Sequence, residues 1–314
     1  MTTGPGALER LIAPFGVEEF ITQYWMQRSF FVRGGPDKVG DLFSLDSFHA
    51  AVAAAARRTD APQRGFSVRA GATRTIMPWT IASEVAAGET ICVSAIEVGD
   101  ARLAELAAEL KRELAFAGRV GVHAYLSPRG SGFSFLHFDA RIATTLQIAG
   151  RKRWRYAERS SLPWPAHNVR FAPDGRLDWH QPPAAWEERV PLRGDLPLAE
   201  VVLEPGDLLC LPAGTFHAAE AVDDVSLSIN INFNYGGFFD LVGAYLNARL
   251  PELAGWREAP PAPLPGELER GGLPPRVVEF MVARLDELRR VIDELDPRNG
   301  GEVAALWHRA RRPE

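Results

Sequence analysis

Lysine and cysteine are scarce in this 314-residue chain: of 35 basic residues only Lys38, Lys111 and Lys152 are lysine, and the cysteines are Cys92 and Cys210. Two cysteines cannot build a disulfide framework and fit a reducing compartment, so the expected location is cytoplasmic. The arginine bias is read as the mark of a GC-rich genome, which makes each lysine worth locating. No basic segment followed by an apolar stretch opens the chain, and no apolar run is long enough to span a bilayer, so neither a secretory signal nor membrane insertion is expected. The net charge of −5 offers no pull towards nucleic acid, and the one basic run, His308-Arg309-Ala310-Arg311-Arg312, reads as a solvated tail. What remains is 46% apolar and 24% charged, an ordinary globular composition, long enough for one large domain with appendages or two small ones.

Periodicity divides the chain. Phe20, Ile21 and Tyr24 share a helical face, Phe30 to Arg33 reads as a short strand, and Asp46 to Arg58 as an alanine-rich helix. Leu103, Leu106, Leu110 and Leu114 mark an amphipathic helix that Gly118 ends. Beyond it the period changes to that of strands: Val120 to Leu126, Phe133 to Phe138, Ile142 to Ile148, Arg153 to Tyr156, Val201 to Leu203, Leu208 to Leu211 and Ser226 to Phe233. Short strands punctuated by Gly and Pro, without intervening helices, predict an antiparallel jelly-roll of the cupin kind, mainly β with flanking α. The expected organisation is an N-terminal helical and strand region over 1–117 packed on the core, a core over 118–240, and a helical C-terminal region over 241–314. Residues 160–195 interrupt the core with Trp164, His167, Trp179, His180 and Trp186 among prolines and charges; a loop so long is functional or mobile as a rule, and reads as a lid, a peptide clamp or a roof over the barrel. Residues 258–272 read as a Pro/Gly-rich linker. The helix expected over 275–295 carries Val278, Met281, Val282, Leu285, Leu288, Ile292 and Leu295 on one side, a stripe that needs a partner surface and suggests a homodimer.

Two histidines carry the chemistry. His137-Phe138-Asp139 lies on an apolar strand, and His217 follows the turn Pro212-Ala213-Gly214-Thr215-Phe216 eighty residues later. Residues 137 and 139 point to the same strand face, so both can enter one barrel interior. A charged aspartate there needs a counter-charge, which a divalent metal supplies. Two imidazoles and a carboxylate on one side of an octahedron leave the opposite positions open, as a 2-His-1-carboxylate iron site requires. Lys152 follows the Gly150 turn. As a barrel lysine it would anchor a carboxylate, while by pattern alone Arg151-Lys152-Arg153 is a solvated basic turn.

Three blocks together, Val122 to Phe133 (VHAYLSPRGSGF), Leu136 to Asp139 (LHFD) and Leu146 to Tyr156 (LQIAGRKRWRY), resemble the JmjC/cupin-type Fe(II)- and 2-oxoglutarate-dependent oxygenases, nearest their ribosomal-oxygenase branch. The likeness continues through Leu203 to His217 and Ser226 to Phe233, and Tyr24 to Phe31 resembles that branch's N-terminal segment; about half the chain is covered. It implies a double-stranded β-helix, His137, Asp139 and His217 as iron ligands, Fe(II) and molecular oxygen, and 2-oxoglutarate as co-substrate with Lys152 on its distal carboxylate. Asn232 matches a polar position near the co-substrate in related asparaginyl hydroxylases or else caps the strand ladder. Ser134 is a candidate for the same carboxylate, as is Tyr125, although a strand tyrosine is most often core.

The implied activity is hydroxylation of an amino-acid side chain in a peptide or protein. The alternatives are a hydroxylase of a free amino acid or small metabolite, and a cupin-like metal-binding module without turnover; demethylation of N-methyl-lysine shares the chemistry and ranks below them. Two departures stand out. Only about 75 residues follow Phe239, too few for both the helical dimerisation region and the winged-helix domain of that branch. The acidic residue that often follows its HxD motif gives way here to Arg141-Ile142-Ala143-Thr144, which predicts a different substrate-facing surface.

Overall fold

The computed structural model describes residues 4–55, 65–69, 72–172, 174–183, 185, 187–189, 192, 195–234, 238–267, 272–299 and 302–310. Trp186 and the end of the C-terminal basic run lie outside them. The chain forms two units, 1–235 and 236–314.

The first unit holds five helices among its described residues, α1 (Ala7–Ile12), α2 (Val17–Gln23), α3 (Leu45–Ala55), α4 (Ile81–Ala86) and α5 (Ala101–Glu113). Its strands are β1 (Phe30–Val32), β2 (Gly65–Arg69), β3 (Ala72–Ile76), β4 (Thr90–Val93), β5 (Arg119–Ser127), β6 (His137–Phe138), β7 (Ile142–Ala149), β8 (Lys152–Tyr156), β9 (Val169–Phe171), β10 (Leu177–Trp179), β11 (Ala199–Leu203), β12 (Leu208–Leu211), β13 (His217–Ala221) and β14 (Ser226–Asn234). They pair antiparallel in two sheets, β1-β12-β7-β14-β5-β4-β2-β3 and β10-β9-β6-β13-β8-β11. This is the expected jelly-roll. No break occurs at 117/118, because β1 pairs with β12 and β4 with β5, so the N-terminal region supplies four strands of the larger sheet.

Strand alternation sorts the larger sheet into an apolar and a polar face. On β14, Leu227, Ile229, Ile231 and Phe233 join Val122, Ala124 and Leu126 of β5 in one cluster with Leu8, Phe20, Trp25, Leu103, Leu106 and Leu110 from the helices. Each such large side chain, fully buried, contributes about 1.5–3 kcal/mol relative to exposure. Stability therefore lies on the sheet's outer face, under the helices, and the face turned to the second sheet is free to be polar. Ser226, Ser228, Asn230 and Asn232 of β14 lie there, opposite Ser127, Tyr125, His123 and Gly121 of β5 in register. Helix α5 holds its place through that leucine stripe and an N-cap: the Asp100 carboxylate accepts from the backbone N–H groups of Arg102 (2.9 Å) and Leu103 (3.2 Å), a cap that contributes about 1 kcal/mol.

The insertion at 160–195 carries secondary structure of its own. Strands β9 and β10 form a hairpin that extends the smaller sheet past β6, and Leu162, Val169, Phe171, Leu177 and Trp179 pack with Phe138 and Phe216. Alternation failed to reveal it because its strands are three residues each.

In the second unit α6 (Phe238–Arg249), α7 (Pro275–Asp293) and α8 (Glu302–Ala310) are the α-helices among the described residues; of the stretch 258–272, 258–267 has no helix or strand and 268–271 lie outside the described residues. Tyr245, Val291 and Leu295 form its small core, so Leu295 turns away from the stripe assigned to it. No helix among the described residues is long and apolar enough to cross a membrane.

Candidate metal centre

His137 and His217 are cross-strand partners, one on β6 and one on β13, with ring centroids 4.3 Å apart. Asp139 follows two residues after His137, on the same side. One ligand atom from each of the three lies within 4.8 Å of the others. The ring nitrogens are already assigned by their surroundings. Nδ1 of His137 is 3.0 Å from the Phe135 carbonyl and Nδ1 of His217 is 2.8 Å from the Thr215 carbonyl. A carbonyl only accepts, so each Nδ1 carries the proton and each Nε2 presents its lone pair. Backbone carbonyls that fix tautomer and ring direction are the usual outer partners of metal-binding histidines. Gly214 completes the frame: its N–H donates to the Asp139 carbonyl (2.9 Å), its φ is +77°, and a Cβ there would collide with the Leu162 carbonyl.

Electrostatics favour the metal-ready protonation states. Burial, then the proximity of His137, brings His217 down to about 4, and burial lowers His137 as well. Burial would raise the Asp139 carboxyl, but Arg141, His137 and His217 outweigh it and hold it at about 2. At neutral pH the trio is therefore two neutral imidazoles and one carboxylate, the donor set that a 2-His-1-carboxylate site needs. Burial and the Arg141 charge likewise bring His123 down to about 4. A histidine that stays neutral when folded but protonates when unfolded removes stability as pH falls below about 6.5, until its folded value is reached. The metal-free protein should accordingly lose about 2 kcal/mol or more between pH 7 and 5. Urea midpoints at the two pH values measure this, and equal midpoints would contradict it.

The three donors open onto a cavity of about 760 Å³ between the sheets. Lys152 lies on its wall, 3% exposed, while Arg151, Arg153 and Arg155 on either side face solvent; strand alternation takes Lys152 out of the solvated basic turn. Its Nζ donates to Ser228 Oγ at 3.2 Å and stands 5.7 Å from the centre of the Tyr125 ring. No carboxylate pairs with it among the described residues, and burial lowers its ammonium to about 8. Trp154, two residues on, stacks against His217 with centroids 5.6 Å apart.

Of the other expected residues, Tyr125 lines the cavity. Ser134 does not: it is exposed, because Phe133, Phe135 and His137 occupy the inward phase of that segment and 134 falls on the opposite one. Asn232 shares the polar face of β14 but sits beyond the cavity opposite Gly121 and Ala143, 1% exposed and with neither side-chain polar atom bonded. The polar residues that β14 does bring to the cavity are Ser228 and Asn230. The S-x-S-x-N-x-N alternation puts them on one face with Asn232 but does not say which of these positions stands at the level of Lys152. Arg141, where the sequence departs from the pattern after the HxD motif, and Trp179 and His180 of the insertion also line it, as do Asn168 and Arg170, which no motif announced.

The JmjC domain family model matches residues 101–240. YxbC of Bacillus subtilis is 36% identical over 129 residues, covering 40% of this chain and 37% of that protein. Ribosomal oxygenase 1 of Gallus gallus is 28% identical over 269 residues, 80% of this chain and 41% of that protein. The chain thus spans about two fifths of the length of these curated relatives. Among solved structures, the Escherichia coli ribosomal oxygenase YcfD in complex with cobalt and 2-oxoglutarate superposes with a TM-score of 0.54 at 18% identity, covering 90% of this chain and 67% of that one. The fold is that of the JmjC/cupin jelly-rolls.

Proposed function

We propose that this chain, which carries a JmjC domain over residues 101–240, is an Fe(II)- and 2-oxoglutarate-dependent oxygenase that hydroxylates an amino-acid side chain in a peptide or protein. The observation that carries the reading is the convergence of His137, Asp139, His217 and a carboxylate-free Lys152 on one cavity. 2-Oxoglutarate, present with cobalt in the YcfD complex, is a dianion whose two ends need two positive centres.

His137, Asp139 and His217 would hold the metal from one side and leave its remaining positions open to the cavity. Bound there, Fe(II) supplies the redox chemistry: 2-oxoglutarate and dioxygen yield succinate and carbon dioxide, and the second oxygen atom enters the substrate as hydroxyl. Lys152, steadied by Ser228, binds the distal carboxylate and so orients the keto-acid end towards the donors. Tyr125 flanks that ammonium, and Trp154 with Phe133 and Phe135 keeps water from the histidine rings. Residues Val169, Arg170, Asp178 and Trp179 of the β9–β10 hairpin line the cavity, where an arriving peptide would meet them.

The test needs no substrate. Anaerobic addition of 2-oxoglutarate to the Fe(II)-loaded protein should produce the weak visible charge-transfer band of a chelated keto acid, absent in His137→Ala. A metal-loaded protein that never shows the band would sink the oxygenase reading in favour of a metal-binding module.

We also propose that two copies associate through α7, which exposes Val278, Met281, Val282, Leu285 and Ile292, all more than 40% accessible. Light scattering should give the mass of two chains for the protein and of one for Leu285→Asp; one chain's mass for the unaltered protein would refute it. The buried thiols of Cys92 and Cys210 fit a cytoplasmic setting, which cell fractionation would check.

A further inference from the structure

We infer that Arg141 is the substrate-recognition residue of this cavity and that the group it takes is a carboxylate; the inference rests on the oxygenase reading above. Arg141 lines the cavity two residues beyond Asp139. Its ionic contact there is loose, with Nη2 3.6 Å from Asp139 Oδ1, longer than a hydrogen bond. Its Nε–H is buried and has no acceptor. A guanidinium stays charged at any working pH and offers a planar fork of donors that matches a carboxylate edge. A buried donor left without an acceptor is costly, so an arginine held this way at a cavity wall is suited to a planar anion that comes from outside the chain.

The charges around the cavity point the same way. Among the described residues that line it, the carboxylates are Asp139 and Asp178. Asp178 accepts from Arg170 Nε at 2.7 Å. Asp139, once it gives an oxygen to a dication, has its charge shared with that ion and neutralises the guanidinium only in part. Lys152 answers the distal carboxylate of the co-substrate. One cation is then in excess, beside the donor trio, and the ligand still to be placed is the substrate. A neutral side chain would leave that charge buried and unpaired, whereas a carboxylate would pair with it. Two sources supply the chemistry: an aspartate or glutamate within a peptide, and a terminal carboxylate.

Two matched probe pairs separate them: acetyl-Gly-Asp-Gly-amide against acetyl-Gly-Asn-Gly-amide, and acetylglycine against its amide. Each is titrated under nitrogen into the full-length protein loaded with Mn(II) and 2-oxoglutarate, and binding near the metal is read from paramagnetic broadening of the probe's proton signals. In at least one pair the acid should bind about tenfold or more tightly than its amide, the scale of one charge-assisted hydrogen-bonded pair. That preference should fall to about one in Arg141→Gln and recover in part in Arg141→Lys, which also serves if the glutamine variant folds poorly. The pair that shows it names the source. Equal binding of acid and amide in both pairs, or a preference that survives in Arg141→Gln, would overturn the assignment. So would weakened 2-oxoglutarate binding in Arg141→Gln with the acid preference intact, which would give the residue to the co-substrate instead. Failure of 2-oxoglutarate to bind the unaltered metal-loaded protein would strike the oxygenase reading and with it the charge count, whereas the acid-to-amide ratio and its loss in Arg141→Gln, measured without 2-oxoglutarate, would still decide whether Arg141 takes a carboxylate.

Discussion

Asp139→Ala should leave a folded protein that no longer retains Fe(II) and no longer consumes 2-oxoglutarate. The carboxylate is the one anionic donor of the trio, and its low value, about 2, keeps it charged wherever the protein is folded. Removing an outer partner of a metal ligand costs about 10–100-fold in affinity, and removing a ligand itself should exceed that. The fold survives because Asp139 takes no part in the apolar clusters; its side chain contributes one loose pair to Arg141, whose own side chain is 25% exposed. Thermal melts give the discriminating measurement. Mn(II) should raise the melting temperature of the unaltered protein by mass action and leave that of Asp139→Ala unmoved. A variant that still gains stability from the metal would remove Asp139 from the ligand set.

How far the sequence led can be judged at particular residues. The pattern was legible wherever one face of an element is apolar: the leucine stripe of α5, the strands from 119 onward, and the alternation that puts 137 and 139 on one side. It was not legible where polar residues do the lining. The inner face of β14 is polar, since the apolar burial that stabilises this sheet takes place on its outer face under the helices. A reader who expects strand interiors to be apolar passes over Ser228, and reaches Asn232 through the family likeness instead. Ser134 failed on parity, being three residues and therefore one face away from His137. The β9–β10 hairpin, and the place of Arg141 on the cavity wall, were hidden for another reason: they depend on which strands become neighbours, as in the pairing of His137 with Arg170, and single-strand periodicity holds no such information.

Lys152→Met should make the metal-free protein more stable and the enzyme worse, and the two effects have one cause. The ammonium is buried with only a hydroxyl partner, Ser228 Oγ at 3.2 Å, and burial lowers it to about 8 from an ordinary 10.5. Below pH 8 the folded protein carries this buried charge in full, at a cost of roughly 3 kcal/mol relative to the unfolded chain. The sign follows from linkage. Between about 8 and 10.5 the unfolded state binds more protons than the folded state, so stability contributed by this group rises with pH in that window and is lowest below it. Methionine has similar length and no charge, so the variant should gain up to about 3 kcal/mol in urea at pH 7 and lose the rise on going from pH 8 to 10. The same substitution removes the partner proposed for the distal carboxylate of 2-oxoglutarate. Truncating one member of a buried charge pair costs about 2–5 kcal/mol, so the 2-oxoglutarate dissociation constant, measured by calorimetry on the Mn(II)-loaded protein, should rise about a hundredfold. A lysine that merely filled space would give the stability gain with unchanged 2-oxoglutarate affinity. A destabilised variant would mean that the charge is satisfied by the fold itself. Only a residue kept at the fold's expense for an incoming anion gives both results, and finding both would place the co-substrate's far end at Lys152 without reference to the reaction.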